Sequence, residues 1–107
     1  LADADDELWE LMRETRTYSI FCGAESGDDE TLEAMTKEIV VEDNYRFADK
    51  CHKYGIKVVF GSLVGLPHPN HSIKELTKKT GDQIESNIQM FDTILSKDTR
   101  HRAQIFI

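Results

Sequence analysis

The stretch Ile56-Lys57-Val58-Val59-Phe60-Gly61-Ser62-Leu63-Val64 constrains the fold of this chain more than any other. It is a nearly unbroken apolar run rich in β-branched residues, and Gly65-Leu66-Pro67 closes it. Such a run reads as a strand covered on both faces, of the kind found at the centre of a parallel sheet. Parallel strands need long crossovers between them, usually helical. The residues on either side of the run are therefore expected to be amphipathic helices, with further strands beyond them.

Helical spacing is present in several places. Residues 5–14 place Leu8, Leu11 and Met12 on one face, with Asp5 and Asp6 at the start, where the helix dipole favours negative charge. Residues 17–24, rich in β-branched, aromatic and small types and ending in Gly23-Ala24, read as a buried strand. Ser26 and Asp29 then have capping-box spacing, with Asp28 as an alternative N-cap for a short helix carrying Leu32 and Met35. From Val41 onward Phe47, Ala48, Cys51 and Tyr54 fall on one stripe, and Gly55 supplies the stop. After the central strand, Gly65 to Asn70 reads as a loop. Ser72 to Lys97 keeps a helical period through Ile73, Leu76, Ile84, Ile88, Phe91 and Leu95, with Gly81 as an expected weak point or kink. Ala103 to Ile107 closes the chain as a strand.

The order is α-β-α-α-β-α-β, an α/β class. An open doubly wound sheet and a partial (β/α) barrel arc both satisfy it. The 107 residues make a single piece, and the start at Leu1 and the apolar ending suggest a fragment of a longer chain. Thirteen Lys plus Arg against twenty Asp plus Glu give a net charge of -7, which argues against nucleic acid as a partner. Apolar runs are too short to span a bilayer. Two cysteines cannot make a disulfide framework, and no signal-like segment precedes them, so the expected setting is a reducing cytoplasm.

Either architecture places ligands at the C-terminal ends of its strands. Two segments fall there. Gly23-Ala24-Glu25-Ser26-Gly27 sets a carboxylate between glycines that let a ligand approach the backbone, although a plain strand-to-helix turn would use the same residues. Gly61-Ser62-Leu63-Val64-Gly65 places glycines within a bulky strand, which suits either a flat ligand or a tightly packed helix. Strand alternation turns Phe21, Gly23 and Glu25 to one side and Tyr18, Ile20 and Cys22 to the helices. Likewise Gly61, Leu63 and Gly65 share a face, leaving Val58, Phe60 and Val64 beneath the helices. Weaker features remain: His68 and His71 in a loop, short of the four ligands of a structural zinc site, the divergent neighbours Cys51-His52, and Asp28-Asp29-Glu30 at a helix start.

Taken jointly, DDELWELMRET, GAESG, GIKVVFGSLVGLP and AQIFI resemble the C-terminal half of the core barrel of radical S-adenosylmethionine (SAM) enzymes. The branch it is most similar to often carries a cobalamin-binding domain and includes the anaerobic Mg-protoporphyrin IX monomethyl ester oxidative cyclases. The resemblance implies an iron-sulfur oxidoreductase in which SAM is held by Glu25, Ser26, Gly61, Leu63 and Gly65. His68 stands where relatives carry a glutamate, and the loop departs from their Gly-Leu-Pro-Gly-Glu-Thr. The family's Cys-x-x-x-Cys-x-x-Cys loop for the 4Fe-4S cluster is not in this sequence. The resemblance thus implies SAM and a cluster in a full-length parent making a deoxyadenosyl radical from SAM to act on a small-molecule substrate. The fragment itself is expected to bind neither and to be inactive. Two other readings stand beside it: a small α/β binding or interaction module without chemistry, and a part of another (β/α) barrel. Exposed strand edges suggest self-association.

Overall fold

The computed structural model describes residues 3–65 and 72–106, apart from the side chain of Leu76. The His68 and His71 pair, the Pro67 to Asn70 loop and Ile107 lie outside the described residues. The elements are α1 (Asp6–Glu14), β1 (Ser19–Glu25), α2 (Asp29–Ala34), α3 (Val41–Lys53), β2 (Lys57–Leu63), α4 (Ile73–Lys97) and β3 (Arg102–Phe106). This is a mixed α/β fold in the expected order. The three strands form one parallel sheet in the order β1-β2-β3, so the apolar run is the central strand.

Among the described residues, coverage of that strand is one-sided, where two covered faces were expected. Ile20, Cys22 and Ala24 of β1, Val58 and Phe60 of β2, and Ala103 of β3 join Trp9 of α1, Phe47, Ala48 and Cys51 of α3, and Met90, Phe91 and Ile94 of α4 in one core. Burying a side chain the size of Phe60 contributes roughly 2 kcal/mol. On the opposite face Phe21 is 62% exposed and Phe106 47% exposed, and their rings flank Gly61. Tyr18, expected to face the helices, lies just before β1 and is exposed. The strand read as buried is accordingly a half-buried edge, because β2 lies on one side only of β1.

At α2 the alternative N-cap Asp28 is the one used, and Ser26 and Asp29 do not form a capping box. Asp5 Oδ1 accepts from the Leu8 N–H at 3.1 Å, and Asp28 Oδ2 from the Thr31 N–H at 2.9 Å. Ser72 and Glu75 form a reciprocal capping box on α4, which is one continuous helix through Gly81. In α3, Phe47, Ala48, Cys51 and the following Tyr54 are all buried as the stripe predicts.

Two helices turn a partly different face to the core than their apolar spacing suggests, although Met12 of α1 and Phe91 of α4 do pack there. In α1 the core residue is Trp9, stacked on Tyr54 with ring centroids 5.6 Å apart, while Leu8 and Leu11 are exposed. In α4 the buried set is Gln83, Asn87, Met90, Phe91 and Ile94, whereas Ile73, Ile84, Ile88 and Leu95 are exposed. The reason lies in the strand ends that α4 crosses.

Candidate functional site

At the C-terminal end of β1 the register slips between Gly23 and Glu25, so that Glu25 pairs with Ser62. Glu25 adopts φ +67, a left-handed conformation that non-glycine residues take rarely. Its carboxylate folds back over Gly23, where any Cβ would collide with Oε1. Gly23 is paired with Gly61 on β2, so the carboxylate lies one strand away from Gly61. The Lys37 ammonium is 3.9 Å from Glu25 Oε1.

The other anticipated residues divide between surface and scaffold. Gly61 brings Phe21 and Phe106 together over the sheet, since a Cβ there would lie 3.1 Å from Phe106 Cε2 and 3.4 Å from Phe21 Cζ. Leu63 follows Gly61 on the same face by alternation and is half-buried. Ser26 is fully buried; its Oγ accepts from the Asp28 N–H at 3.1 Å and its own N–H donates to the Ala24 carbonyl at 2.8 Å. Gly65 adopts φ +76 and gives its N–H to Gln83 Oε1 at 3.1 Å. Gly27 packs so closely that a Cβ would strike the Ser86 backbone carbonyl. Glu25, Gly61 and Leu63 therefore face outward together, while Ser26, Gly27 and Gly65 shape the turns behind them.

Three buried amides hold this end of the sheet, and apolar periodicity passes over them. Asn87 Oδ1 accepts from the Gly27 N–H at 2.7 Å, and Nδ2 donates to Ser62 Oγ and to the Leu63 carbonyl, both at 3.2 Å. Gln83 serves Gly65, and Asn44 Nδ2 donates to the Ala24 carbonyl at 3.2 Å. A buried polar group left unpaired costs about 1–3 kcal/mol. Several such groups outweigh the partial exposure of Ile84 and Ile88, which is why α4 is rotated. The spacing of Gln83, Asn87, Met90 and Ile94 is itself helical, a cue visible once amides count as possible core residues.

Beside the outer edge of β1 lies an open cleft of about 270 Å³, with Cys22, Gly23, Asn44, Phe47 and Phe60 among its lining residues. Arg46 at its rim is engaged by Asp3 at 3.1 Å and Asp43 at 2.7 Å. Burial pushes the thiols of Cys22 and Cys51 up to about 12, so neither is a thiolate at neutral pH. Cys51 is buried and His52 exposed, and they diverge as adjacent helical residues do. Asp28 caps α2, and Asp29 Oδ1 accepts from the Val41 N–H at 2.7 Å, so this acidic run organises helix starts. Among the described residues, no group of three or more His, Cys, Asp and Glu side chains is placed to hold a metal ion. No helix among them is long and apolar enough to cross a membrane. The chain matches no model of a known protein family and no curated protein significantly.

Proposed function

We propose that this chain is the SAM-facing part of a radical SAM (β/α) barrel, with the cofactor lying across the open face at the C-terminal ends of β1 and β2. The observation that carries this reading is the strained Glu25, whose carboxylate is held on that face beside Gly61. Residues kept in sparsely populated conformations cluster at functional sites. Placement of the core helices on one side of a parallel sheet also suits a barrel arc better than a doubly wound sheet, which carries helices on both.

The residues fit the SAM part of the assignment selectively. Glu25 would accept from the ribose hydroxyls or the amino group, and Phe21, Gly61, Leu63 and Phe106 offer an apolar surface to the adenine. Ser26 and Gly65 act one layer back, because their polar groups are already engaged within the turn and by Gln83. The cysteines do not fit a 4Fe-4S cluster: there are two, both with raised pKa, and both belong to the helix-side core. Ligands for a cluster would have to come from residues other than these. Reductive cleavage and hydrogen abstraction are chemistry that SAM and a cluster supply; this chain binds and orients. Two free thiols suit a reducing cytoplasm.

Calorimetric titration of SAM into the protein that carries this chain tests the reading. Glu25→Ala should weaken binding about tenfold or more, the loss of one charge-assisted hydrogen bond, with the circular dichroism spectrum unchanged. Unaltered affinity overturns the assignment. A second reading, an interaction module that associates with copies of itself through its sheet, is favoured by the exposed Phe21 and Phe106.

A further inference from the structure

We infer that His101 is a pH-sensitive latch, fastening β3 to the sheet only while its imidazole is neutral. The ring is fully buried at the start of β3, between α3 and β2. Its Nδ1 lies 3.1 Å from the Val58 backbone nitrogen and its Nε2 3.3 Å from the Ala48 carbonyl oxygen. An N–H can only donate and a carbonyl can only accept. The two partners together therefore fix the neutral tautomer that carries its proton on Nε2.

The ring stands in for a missing rung of the ladder. Lys57 gives its N–H to the Tyr18 carbonyl on the β1 side at 2.7 Å, so the next donor, that of Val58, points towards β3. Backbone pairing of β2 with β3 begins only at Val59 and Arg102, and the imidazole supplies the acceptor one step earlier. At the far end the Val64 N–H donates to the Phe106 carbonyl at 3.0 Å. Between these points β3 has little packing: Ala103 is half-buried, and Arg102, Gln104, Ile105 and Phe106 are exposed. Strand β3 is thus held by its ladder and its two ends rather than by a core of its own.

A proton on Nδ1 would set one N–H against another and leave a cation in the core. The charged and titratable groups facing the ring are Asp98 and Arg100 from its own turn and His52 from α3. Asp98 favours the cation, but its carboxylate is committed to Arg100, accepting from Nε at 3.1 Å and Nη2 at 2.8 Å, with His52 Nδ1 at 3.0 Å. Arg100 and His52 oppose the cation, and burial, the largest influence, holds the ring below its ordinary value of 6.5. With β3 released the ring regains that value. The latch is fully effective above pH 6.5. Each unit of acidification below it lowers the closed-to-open ratio by up to about tenfold, until the ring titrates in the closed form as well.

Hydrogen exchange read by mass spectrometry at about pH 7.5 and about pH 5, corrected for intrinsic rates, tests this in the range where histidine titrates. Protection across residues 102–106 should fall roughly tenfold or more while α3 keeps its own. His101→Asn, which offers a non-titrating acceptor near the position of Nδ1, should lose the pH dependence, and His52→Gln should keep it. Ring ¹⁵N shifts should show the Nε2–H tautomer at the higher pH, a readout that stands even where His101→Asn fails to fold. Invariant protection overturns the latch, as do the opposite tautomer, a persistent pH dependence in His101→Asn, and loss of protection along the whole chain at one midpoint.

Discussion

Thr36 occupies the left-handed region at φ 55, as do Arg16 at φ 60 and Gly55 at φ 71, and all three directly follow a helix C-cap. The hydrogen bonds repeat in each case. Thr36 N–H reaches the Glu33 carbonyl and Lys37 N–H the Leu32 carbonyl, matching Gly55 to His52 and Ile56 to Cys51, and Arg16 to Arg13 and Thr17 to Met12. This is the Schellman ending, which usually takes glycine at its left-handed position. Only α3 has it. A β-branched residue there carries a steric cost of about 1–2 kcal/mol. Thr36→Gly should accordingly raise stability by about 1 kcal/mol, less the extra chain entropy of glycine, and lift the melting temperature by roughly 4 °C. An unchanged or lowered melting temperature in a calorimetric scan would contradict this.

At the scale of elements, α4 decides how the C-terminal strand ends are held. Asn87→Leu should cost about 3 kcal/mol in urea unfolding, because the Gly27 N–H and the Leu63 carbonyl lose their partner together. Ile88→Ser, on the exposed side, should stay within about 0.5 kcal/mol of the parent chain. Inverted magnitudes would mean that the helix turns its isoleucine stripe to the core. That stripe shows why only part of this element was legible. In α3 the apolar period and the Gly55 stop agree, and the buried face follows from sequence alone. In α4 the face is set by the Gly27 N–H, sixty positions from Asn87, and no local pattern carries that information. The candidate site divides in the same way. Glu25 and Gly61 stood out because glycines and a carboxylate at strand ends are chemically distinctive. Ser26 did not reveal its role, since a serine that shapes a turn and one that binds a ligand look alike until burial is known.

Among the described residues the core helices pack on one side of the sheet, with α4 alone running for 25 residues, and the chain is elongated. Its Cα radius of gyration is 15.1 Å, against roughly 13 Å for a compact chain of this length. Exposed Phe21 and Phe106, and the outer edges of β1 and β3, which pair with no other strand among the described residues, are a template for association. The apparent mass in light scattering should therefore rise with concentration, and Phe21→Lys should suppress the rise. A constant monomer mass over a wide concentration range would contradict association. The charge of -7 opposes it at low ionic strength, so added salt should strengthen it.

The proposed SAM site is the open face at the ends of β1 and β2. Hydrogen exchange of the protein carrying this chain, with and without SAM, tests it most directly. Exchange should slow in residues 21–25 and 61–65, and slow much less in Glu25→Ala at a SAM concentration near the Kd of the unaltered protein. Slowing confined to the cleft beside Asn44 and Arg46, or none anywhere, would contradict it.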